Sequence, residues 1–462
     1  MLNPAIIESF IEIIGHTNVS QNPEDLLSAS CDNTEDLSYL PEILLFPENT
    51  IQVSEIIKIC NKELLPTYTR GAGTGLSGGA LPVKGGVVIS TKKMNKILSI
   101  DPVNFQATVE PGVINAELKN ALLEYNLTYP PDPASFESST IGGNIAHGAG
   151  GPKAIKYGTT RDYVLNLEVV TGNGDIIWTG ANTLKNSTGF ALTHLMIGSE
   201  GLLGIVTKAV LKLVPKVENE LLLLAAFRDS YSAASCVNQI LLAGFSPVGI
   251  ELMELEAVKI SMEATKLNFP IPEDVQYYLL IILEGQNVSE LELQSENIYE
   301  IISNYGAFEV YTPSNSDMAN EWWKIRRSMG TAVKQISVYK EEDTVVPRGN
   351  LPQLLSGVKE IGQKYNFRSV CYGHAGDGNL HINILKDNLS QQQWTEEIPI
   401  AIREIFELCK SLGGTISGEH GIGLVQKPYL DIVITPEVMS IFQGIKNSFD
   451  PNRILNMGKW IS

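Results

Sequence analysis

The sequence predicts an α+β fold with at least two domains. Its 462 residues are more than a single hydrophobic core usually accommodates. In the first half, short β-rich runs closed by glycine or proline are joined by a few helices. From about Lys216 the predicted order is strand, helix, strand, twice over, which indicates a ferredoxin-like antiparallel sheet covered by helices.

The composition narrows the class of protein. Apolar residues make up 44% and charged residues 19%, as in ordinary globular proteins. With 34 Lys and Arg against 52 Asp and Glu, the net charge of −18 disfavours nucleic acid or an anionic membrane surface as a partner. No apolar run approaches the ~20 residues of a membrane helix, so we expect no integral membrane segment. Five scattered cysteines without a Cys-x-x-Cys pair favour the cytoplasm.

Residues 1–40 are predicted to form a helical, acidic leader. Its apolar positions recur at helical spacing and its first twenty residues lack Lys and Arg, so we do not expect a signal peptide. A domain over 41–216 should follow. Its predicted elements are a helix at 50–64 capped by Asn49 or Thr50, strands at 66–69, 86–90, 97–100 and 106–109, a helix at 115–125, and strands at 164–170, 176–178 and 205–214.

A second domain is expected over 217–425, and a terminal segment over 426–462. The two strand–helix–strand units comprise strands at 221–227, 248–253, 277–284 and 308–311 with helices at 233–242 and 291–303. Later helices are predicted at 399–412 and 436–449.

Three glycine-rich loops fall within the first domain. Residues 73–78 match Gly-x-Gly-x-x-Gly, but residues 78–82 (GGALP) cannot open the helix that a Rossmann site requires, so we reject that interpretation. Bare N–H groups there can converge on an anion, although a flexible surface turn explains this loop alone equally well. Similar stretches at 130–151 and 198–207 favour a long dinucleotide buried along its length.

Three of the six histidines lie between positions 374 and 420. A turn of glycine, aspartate and asparagine should fold 372–383 into a hairpin that returns His374 towards His381, with Asn383 on the same face as His381. These imidazoles and Glu419 make an open three-ligand set for a divalent ion. His420 is then placed as a proton acceptor. Any one histidine alone is better explained as structural, whereas the cluster favours function.

Residues 322–327 (WWKIRR) offer cations among aromatic rings. Arginine binds carboxylates in bidentate fashion, so Arg326 is a candidate substrate anchor. An ordinary helix with surface charges explains the segment about as well.

Together these motifs resemble the FAD-linked oxidase family, in the branch of glycolate oxidase D-subunits, D-lactate dehydrogenases and D-2-hydroxyglutarate dehydrogenases. The resemblance runs in order from about Pro41 to the C-terminus. It implies a fold of the vanillyl-alcohol-oxidase (PCMH) type, with a two-part FAD-binding domain over 41–216, a cap domain with a metal site over 217–425, and a tail that returns to the FAD domain. The residues implied to contact FAD are Arg70, Gly71, Ala72, Gly73, Thr74, Gly75, Leu76, Pro131, Ser139, Thr140, Gly142, Gly143, Asn144, Gly201, Gly204, Ile205 and Asn456.

The resemblance also implies an activity, the oxidation of a small D-2-hydroxy acid by hydride transfer to flavin. His420 would be the base, and Arg326 and Asn383 would bind substrate. The residues implied to ligate zinc or manganese are His374, His381 and Glu419.

Two departures from the family pattern refine these expectations. Members with covalent flavin have a histidine near the first loop, where this chain has residues 70–72 (RGA), so FAD should bind non-covalently. In the hydroxyglutarate branch a lysine grips the second carboxylate. If Pro347 anchors the alignment, Lys340 is one residue away and Glu341 takes that place, which favours glycolate or D-lactate.

Alternatives remain open at this point. They are a same-fold oxidase of another alcohol, and a non-catalytic flavoprotein subunit of a multi-subunit oxidase. A simple metal- or anion-binding module is disfavoured because it leaves the three loops unexplained. The electron acceptor is open between a quinone, an electron-transfer flavoprotein and an iron–sulfur subunit, as is the choice between a homodimer and a hetero-complex held at the inner membrane by a partner.

Overall fold

A computed structural model describes residues 2–461, which divide into two compact units. Unit 1 holds the described residues up to 150, residues 158–216 and the segment from 419 onward. Unit 2 holds residues 151–157 and 217–418. The chain therefore leaves unit 1 twice, and it returns at Gly158 and again at Glu419. In the described part of the chain, no helix is both long and apolar enough to cross a bilayer.

Unit 1 is built on two main sheets. One has the order β1-β2-β4-β3, in which β4 runs parallel to both β2 and β3. The other is antiparallel and has the order β5-β6-β10-β8-β9. The strands are β1 (Val19–Ser20), β2 (Ile43–Leu45), β3 (Thr67–Arg70), β4 (Val87–Ser90), β5 (Ile97–Asp101), β6 (Gln106–Val109), β7 (Leu127–Thr128), β8 (Val164–Val170), β9 (Ile176–Trp178), β10 (Ile205–Lys212) and β11 (Val214–Pro215).

Helices cover these sheets where the apolar spacing predicts them. The helix Thr50–Lys62 begins at Asn49, whose side chain accepts the N–H of Gln52, so the first of the two predicted caps is confirmed. Its buried face, including Val53 and Ile57, joins the core formed with β2 and β4. The α-helices of unit 1 are Pro4–Ile14, Pro23–Ala29, Thr50–Lys62, Asn115–Leu122, Ile141–His147, Leu192–Met196 and Pro436–Phe449.

The loop after β3 opens no helix. Residues 71–86 run through turns into β4, which confirms the rejection of a Rossmann site. Gly73 and Gly78 have φ of 76° and 75°, a backbone conformation that glycine adopts without steric cost.

Unit 2 is built on one antiparallel sheet of seven strands, in the order β15-β12-β14-β13-β17-β18-β16. Its first four neighbours, β15, β12, β14 and β13, are the fourth, first, third and second strands of this unit in chain order, and helices connect them. This order confirms the predicted ferredoxin-like arrangement. The sequence did not predict that the histidine hairpin would extend this same sheet. The strands are β12 (Asn219–Phe227), β13 (Gly249–Glu254), β14 (Tyr277–Gly285), β15 (Glu309–Tyr311), β16 (Tyr339–Val345), β17 (Arg368–His374) and β18 (Asn379–Leu385).

One long helix, Ser316–Ile336, lies against a face of this sheet. Trp322 and Met329 are buried in one core cluster with Met253 and Tyr372 of the strands. The helix therefore carries the residues between them over the sheet. The α-helices of unit 2 are Ala154–Tyr157, Ser230–Leu242, Leu255–Thr265, Val288–Asn304, Ser316–Ile336, Leu351–Tyr365 and Ile398–Ser411.

A lysine of a buried ion pair in the C-terminal tail also binds the carbonyl of Leu202 elsewhere in unit 1. Lys446 Nζ lies 2.6 Å from Asp450 Oδ2 and donates to the carbonyls of Leu202 and Leu455 at 2.7 and 2.9 Å. Both charged side chains are almost completely buried. A buried pair of this kind is stable only while both charges remain, because each compensates the desolvation of the other.

We expect the substitution Lys446→Met to lower the free energy of unfolding by about 3–5 kcal/mol, because it leaves a buried carboxylate without its cation. Urea denaturation followed by circular dichroism measures the change. The matched control is Lys58→Met, because Lys58 pairs with Glu55 at 2.7 Å on an exposed helix face and should contribute under ~1 kcal/mol. Equal losses in the two variants would contradict the anchoring role.

Candidate active site

The predicted histidine hairpin is formed by β17 and β18. Tyr372 pairs with His381, and His374 pairs with Asn379 across the turn. The imidazole rings of His374 and His381 are both buried, with centroids 5.7 Å apart. The expectation that the hairpin returns one imidazole towards the other is confirmed.

The antiparallel register gathers polar side chains on one face of the sheet. Directly opposed residues in such a sheet present their side chains to the same side. Glu251 opposes His374, Asp343 opposes His381, and Glu341 opposes Asn383. His381 and Asn383 therefore share a face, as predicted. This set, here called the polar face, consists of Glu251, Glu341, Asp343, His374, Asn379, His381 and Asn383.

Glu251 is a carboxylate of the polar face with no exposed surface. Its Oε1 lies 2.8 Å from His374 Nδ1, and its Oε2 lies 2.5 Å from Arg326 Nη2. Burial pushes its pKa upward, but the charges of Arg326 and His374 outweigh this and hold the pKa below its ordinary value. Arg326 is itself only 7% exposed, which overturns the alternative that it is a surface charge of an ordinary helix.

The bond to Glu251 determines which ring nitrogen of His374 is available. Since Nδ1 contacts the carboxylate, Nε2 is the ring nitrogen placed to bind a metal ion, as in metal-binding histidines whose other nitrogen contacts a carboxylate. His381 has a similar environment, since its Nδ1 lies 3.4 Å from Glu341 Oε1. The two imidazoles therefore fit the chemistry of a divalent metal site.

Among the buried polar atoms of unit 2 that have no hydrogen-bond partner within residues 2–461, two belong to the residues predicted to bind substrate. They are Arg326 Nε and Asn383 Oδ1, although Asn383 Nδ2 donates to the Val370 carbonyl at 3.3 Å. Buried polar atoms are nearly always paired in proteins. A donor and an acceptor left open in this way fit a small polar ligand.

The chain crosses from unit 2 to unit 1 between Gly418 and Glu419. The N–H of Gly418 and the hydroxyl of Ser417 donate to Asp343 Oδ2 at 2.8 and 2.9 Å, which fixes the end of unit 2 beside β16. In unit 1, Glu419 Oε2 lies 2.9 Å from where a Cβ at position 150 would stand, so Gly150 leaves it room.

His420 is held in unit 1 through its backbone. Its carbonyl accepts the Ser77 hydroxyl at 3.0 Å and the Nδ1–H of His147 at 2.9 Å. Glu200 holds the residues that follow, because its two carboxylate oxygens accept the N–H groups of Ile422 and Gly423. The segment thus contacts all three glycine-rich loops.

The loops also contact one another and the tail within unit 1. A Cβ at Gly71 would collide with Thr140 Oγ1, so the first two loops are in close contact. Asn456 Nδ2 donates to the Glu200 carbonyl, which joins the tail to the third loop. Gly201 of the third loop also lies next to Asn456, since a Cβ at position 201 would stand 3.0 Å from Asn456 Nδ2.

Several residues that the sequence assigned to cofactor binding have buried polar atoms without a hydrogen-bond partner in the described structure. In the described structure, the atoms without a hydrogen-bond partner include Arg70 Nη1, Ser139 Oγ, Asn144 Nδ2 and Asn456 Oδ1. They come from two loops and the tail, which meet in unit 1. Since such atoms require partners, the residues fit a long polar ligand such as FAD.

Sequence reasoning missed three residues of this arrangement: Glu251, Glu200 and His147. A signal existed for Glu251, since it is a carboxylate inside a β-run whose neighbours Ile250 and Leu252 are apolar and buried. Glu200 and His147 lie within loops that were recognised, but only the fold shows that they face residues 420–423.

Comparisons with known proteins agree with these observations. Residues 216–460 match the family described as FAD linked oxidases, C-terminal domain, and residues 41–180 match an FAD binding domain. The chain is 38% identical over 460 residues to the glycolate oxidase subunit GlcD of Bacillus subtilis, with 99% of this chain and 97% of that protein covered. It is 36% identical over 427 residues to a D-lactate dehydrogenase of Anaerostipes hadrus, with 91% and 89% covered.

Among solved structures, p-cresol methylhydroxylase with substrate bound has a TM-score of 0.83 and 20% identity, covering 99% of this chain and 96% of that one. At this identity the likeness shows the fold alone. The fold is thus of the vanillyl-alcohol-oxidase (PCMH) type, as the sequence resemblance implied.

Proposed function

This chain belongs to the FAD-linked oxidase family, and from that premise we propose that it oxidises glycolate or D-lactate, small 2-hydroxy monocarboxylic acids, to the 2-oxo acid. The family makes it an FAD-dependent oxidoreductase. The observation that carries the substrate class is the buried Arg326, because its open Nε fits a carboxylate. The named activities of the two relatives, on glycolate and on D-lactate, agree with this class.

In this proposal Arg326 and Asn383 bind and orient the substrate. Glu251 already holds Arg326 Nη2, so Nε is presented to the substrate carboxylate in a fixed direction. Asn383 Oδ1 is open to accept a hydrogen bond from the substrate. His420 would take the proton of the substrate hydroxyl.

FAD would be held by the three loops and Asn456. The open buried atoms of the first two loops and of Asn456 support this assignment. When bound, FAD supplies the hydride acceptor. Residues 70–72 contain no histidine, cysteine or tyrosine that could attach the flavin, so binding there is non-covalent.

His374, His381 and Glu419 would hold a divalent metal, zinc or manganese. The carboxylates behind Nδ1 of both histidines support their role as ligands. The hydrogen bond from Gly418 to Asp343 supports the role of Glu419. It fixes Gly418, the residue before Glu419, to Asp343, which lies opposite His381 in the sheet. When bound, such an ion lowers the pKa of a coordinated hydroxyl.

Glu341 supports a preference for monocarboxylates. It opposes Asn383 in the sheet and lies 3.4 Å from His381 Nδ1. A second substrate carboxylate entering beside Glu341 would meet a like charge, and such repulsion is an effective means of excluding a substrate.

A protein partner is also part of the proposal. The Bacillus subtilis relative is named as a subunit, which supports assembly of this chain with other chains. The electron acceptor would be a quinone, an electron-transfer flavoprotein or an iron–sulfur subunit.

The decisive experiment is anaerobic mixing of the purified FAD-loaded chain with a panel of acids. We expect D-lactate or glycolate to bleach the flavin absorbance, and D-2-hydroxyglutarate and L-lactate to bleach it at least about tenfold more slowly, since one misplaced or repelled group changes a barrier by ~1.4 kcal/mol or more. Faster bleaching by an alcohol without a carboxylate would indicate a different substrate class. If neither the acids nor such an alcohol bleaches the flavin, the result favours a non-catalytic subunit.

The substitution His420→Ala should lower kcat on the better substrate by at least about 100-fold, because it removes the general base, while FAD content stays at one per chain. Stopped-flow absorbance measures the rate and the flavin spectrum measures the content. His16→Ala, at an exposed position outside the site, serves as the control. Near-wild-type rates on both glycolate and D-lactate would show that the base is another residue.

The substitution His374→Ala should remove the metal and leave FAD in place, as elemental analysis and the flavin spectrum would show. Glu251→Gln should weaken metal affinity about 10- to 100-fold in a chelator competition, because it disturbs the partner of His374 Nδ1. Glu254→Gln is the matched control, since Glu254 lies on the same strand and pairs with Lys359 instead. Unchanged metal content in the His374 variant would refute the ligand assignment.

A further inference from the structure

We propose that Glu200 is a positioning residue that fixes the His420 segment directly to the cofactor-binding loops. This inference rests on the proposed role of His420 as the base, and it adds a residue that acts through His420 rather than on substrate. The residues that carry it all belong to unit 1.

The Glu200 carboxylate is matched to two successive N–H groups. Oε1 accepts the N–H of Ile422 at 2.8 Å, and Oε2 accepts that of Gly423 at 2.7 Å. Glu200 is only 6% exposed, so these bonds are shielded from water. Hydrogen bonds from N–H groups to a charged carboxylate are about twice as strong as neutral ones.

The backbone at Glu200, where these bonds are made, has a strained conformation. Its φ is 51°, in the left-handed region that side-chain-bearing residues avoid, and Gly198 and Gly201 around it also have positive φ. Strain of this kind persists only where the surrounding contacts over-determine the conformation, and it is concentrated at functional sites.

A second pair of hydrogen bonds acts on the preceding peptide group. Ser77 and His147 donate to the His420 carbonyl, so the residue is bracketed before and after Gly421. A Cβ at Gly421 would stand 3.0 Å from Glu200 Oε1 and 3.1 Å from His147 Nδ1, and the φ of this residue is 78°. The backbone of the base is thus enclosed by side chains from all three loops.

Glu200 joins two parts of the proposed chemistry. Asn456, assigned to FAD, donates to the carbonyl of Glu200 while the carboxylate of Glu200 holds Ile422 and Gly423. A single residue therefore contacts the cofactor segments through its backbone and the base segment through its side chain. Its loss should displace His420 relative to the loops without removing any group that touches substrate.

The test is Glu200→Gln in the FAD-loaded chain, because glutamine has one acceptor oxygen and would set its NH₂ group against an N–H. We expect kcat to fall about 10- to 100-fold with KM changed far less, the size expected for a base misplaced by ~1 Å. Exchange of the amide hydrogens of Ile422 and Gly423, followed by mass spectrometry, should be at least about tenfold faster. Glu200→Asp keeps two acceptors and should recover part of the rate.

A double-mutant cycle separates positioning from a general structural role. In the His420→Ala background, Glu200→Gln should change the residual rate by less than about twofold, since it has no base left to position. Glu168→Gln is the matched control, because Glu168 is a similarly buried carboxylate of unit 1 that contacts Thr50 and Thr207. It should leave both rate and exchange at 422–423 unchanged.

The contrary outcomes are distinct. If Glu200→Gln lowers the rate by the same factor in both backgrounds, or leaves exchange at Ile422 and Gly423 as in the wild type, the positioning role is refuted. If His420→Ala itself keeps the wild-type rate, the proposed base is wrong, and the exchange measurement still decides whether Glu200 holds the segment.

Discussion

The arrangement in unit 2 depends on one buried carboxylate. Glu251 has no exposed surface, and a charge removed from water is tolerated only with compensating partners. Arg326 and His374 provide them. The carboxylate of Glu251 on β13 therefore contacts both the helix that carries the guanidinium and the strand that carries the imidazole. Anion binding and metal binding would therefore share one support, and neither group can shift without exposing the other to an unbalanced charge.

Sheet register explains how so many polar groups reach one place. Glu251, His374, His381 and Glu341 come from four different strands, and antiparallel pairing puts them on one face. A slip of a single residue in any strand would turn its polar side chain to the opposite face. Apolar residues on the same face, among them Met253, Val370 and Tyr372, pack with the helix Ser316–Ile336 and fix that register. The site is thus specified by the core around it.

Local patterns predicted much of this structure. The strands Gln106–Val109 and Val164–Val170 have the predicted bounds, and the hairpin between His374 and His381 formed as the turn chemistry indicated. Partners distant in the chain could not be predicted in this way. Glu251 and His374 are 123 positions apart, and periodicity specifies which face a residue occupies but not which strand lies beside it. For the same reason the loops at 138–151 and 198–207 were recognised while their contacts with residues 420–423 were not.

The division of unit 1 into three stretches of sequence has a consequence for biosynthesis. Lys446 donates to the Leu202 carbonyl, Leu455 pairs with Thr67, and Asn456 contacts Glu200, so a segment translated late completes a unit whose first strands are translated early. Unit 2 is fully synthesised before that tail exists. Domains commonly fold in the order of their synthesis, and here that order is inverted. During synthesis, unit 2 is therefore complete while unit 1 still lacks the segment from 419 onward.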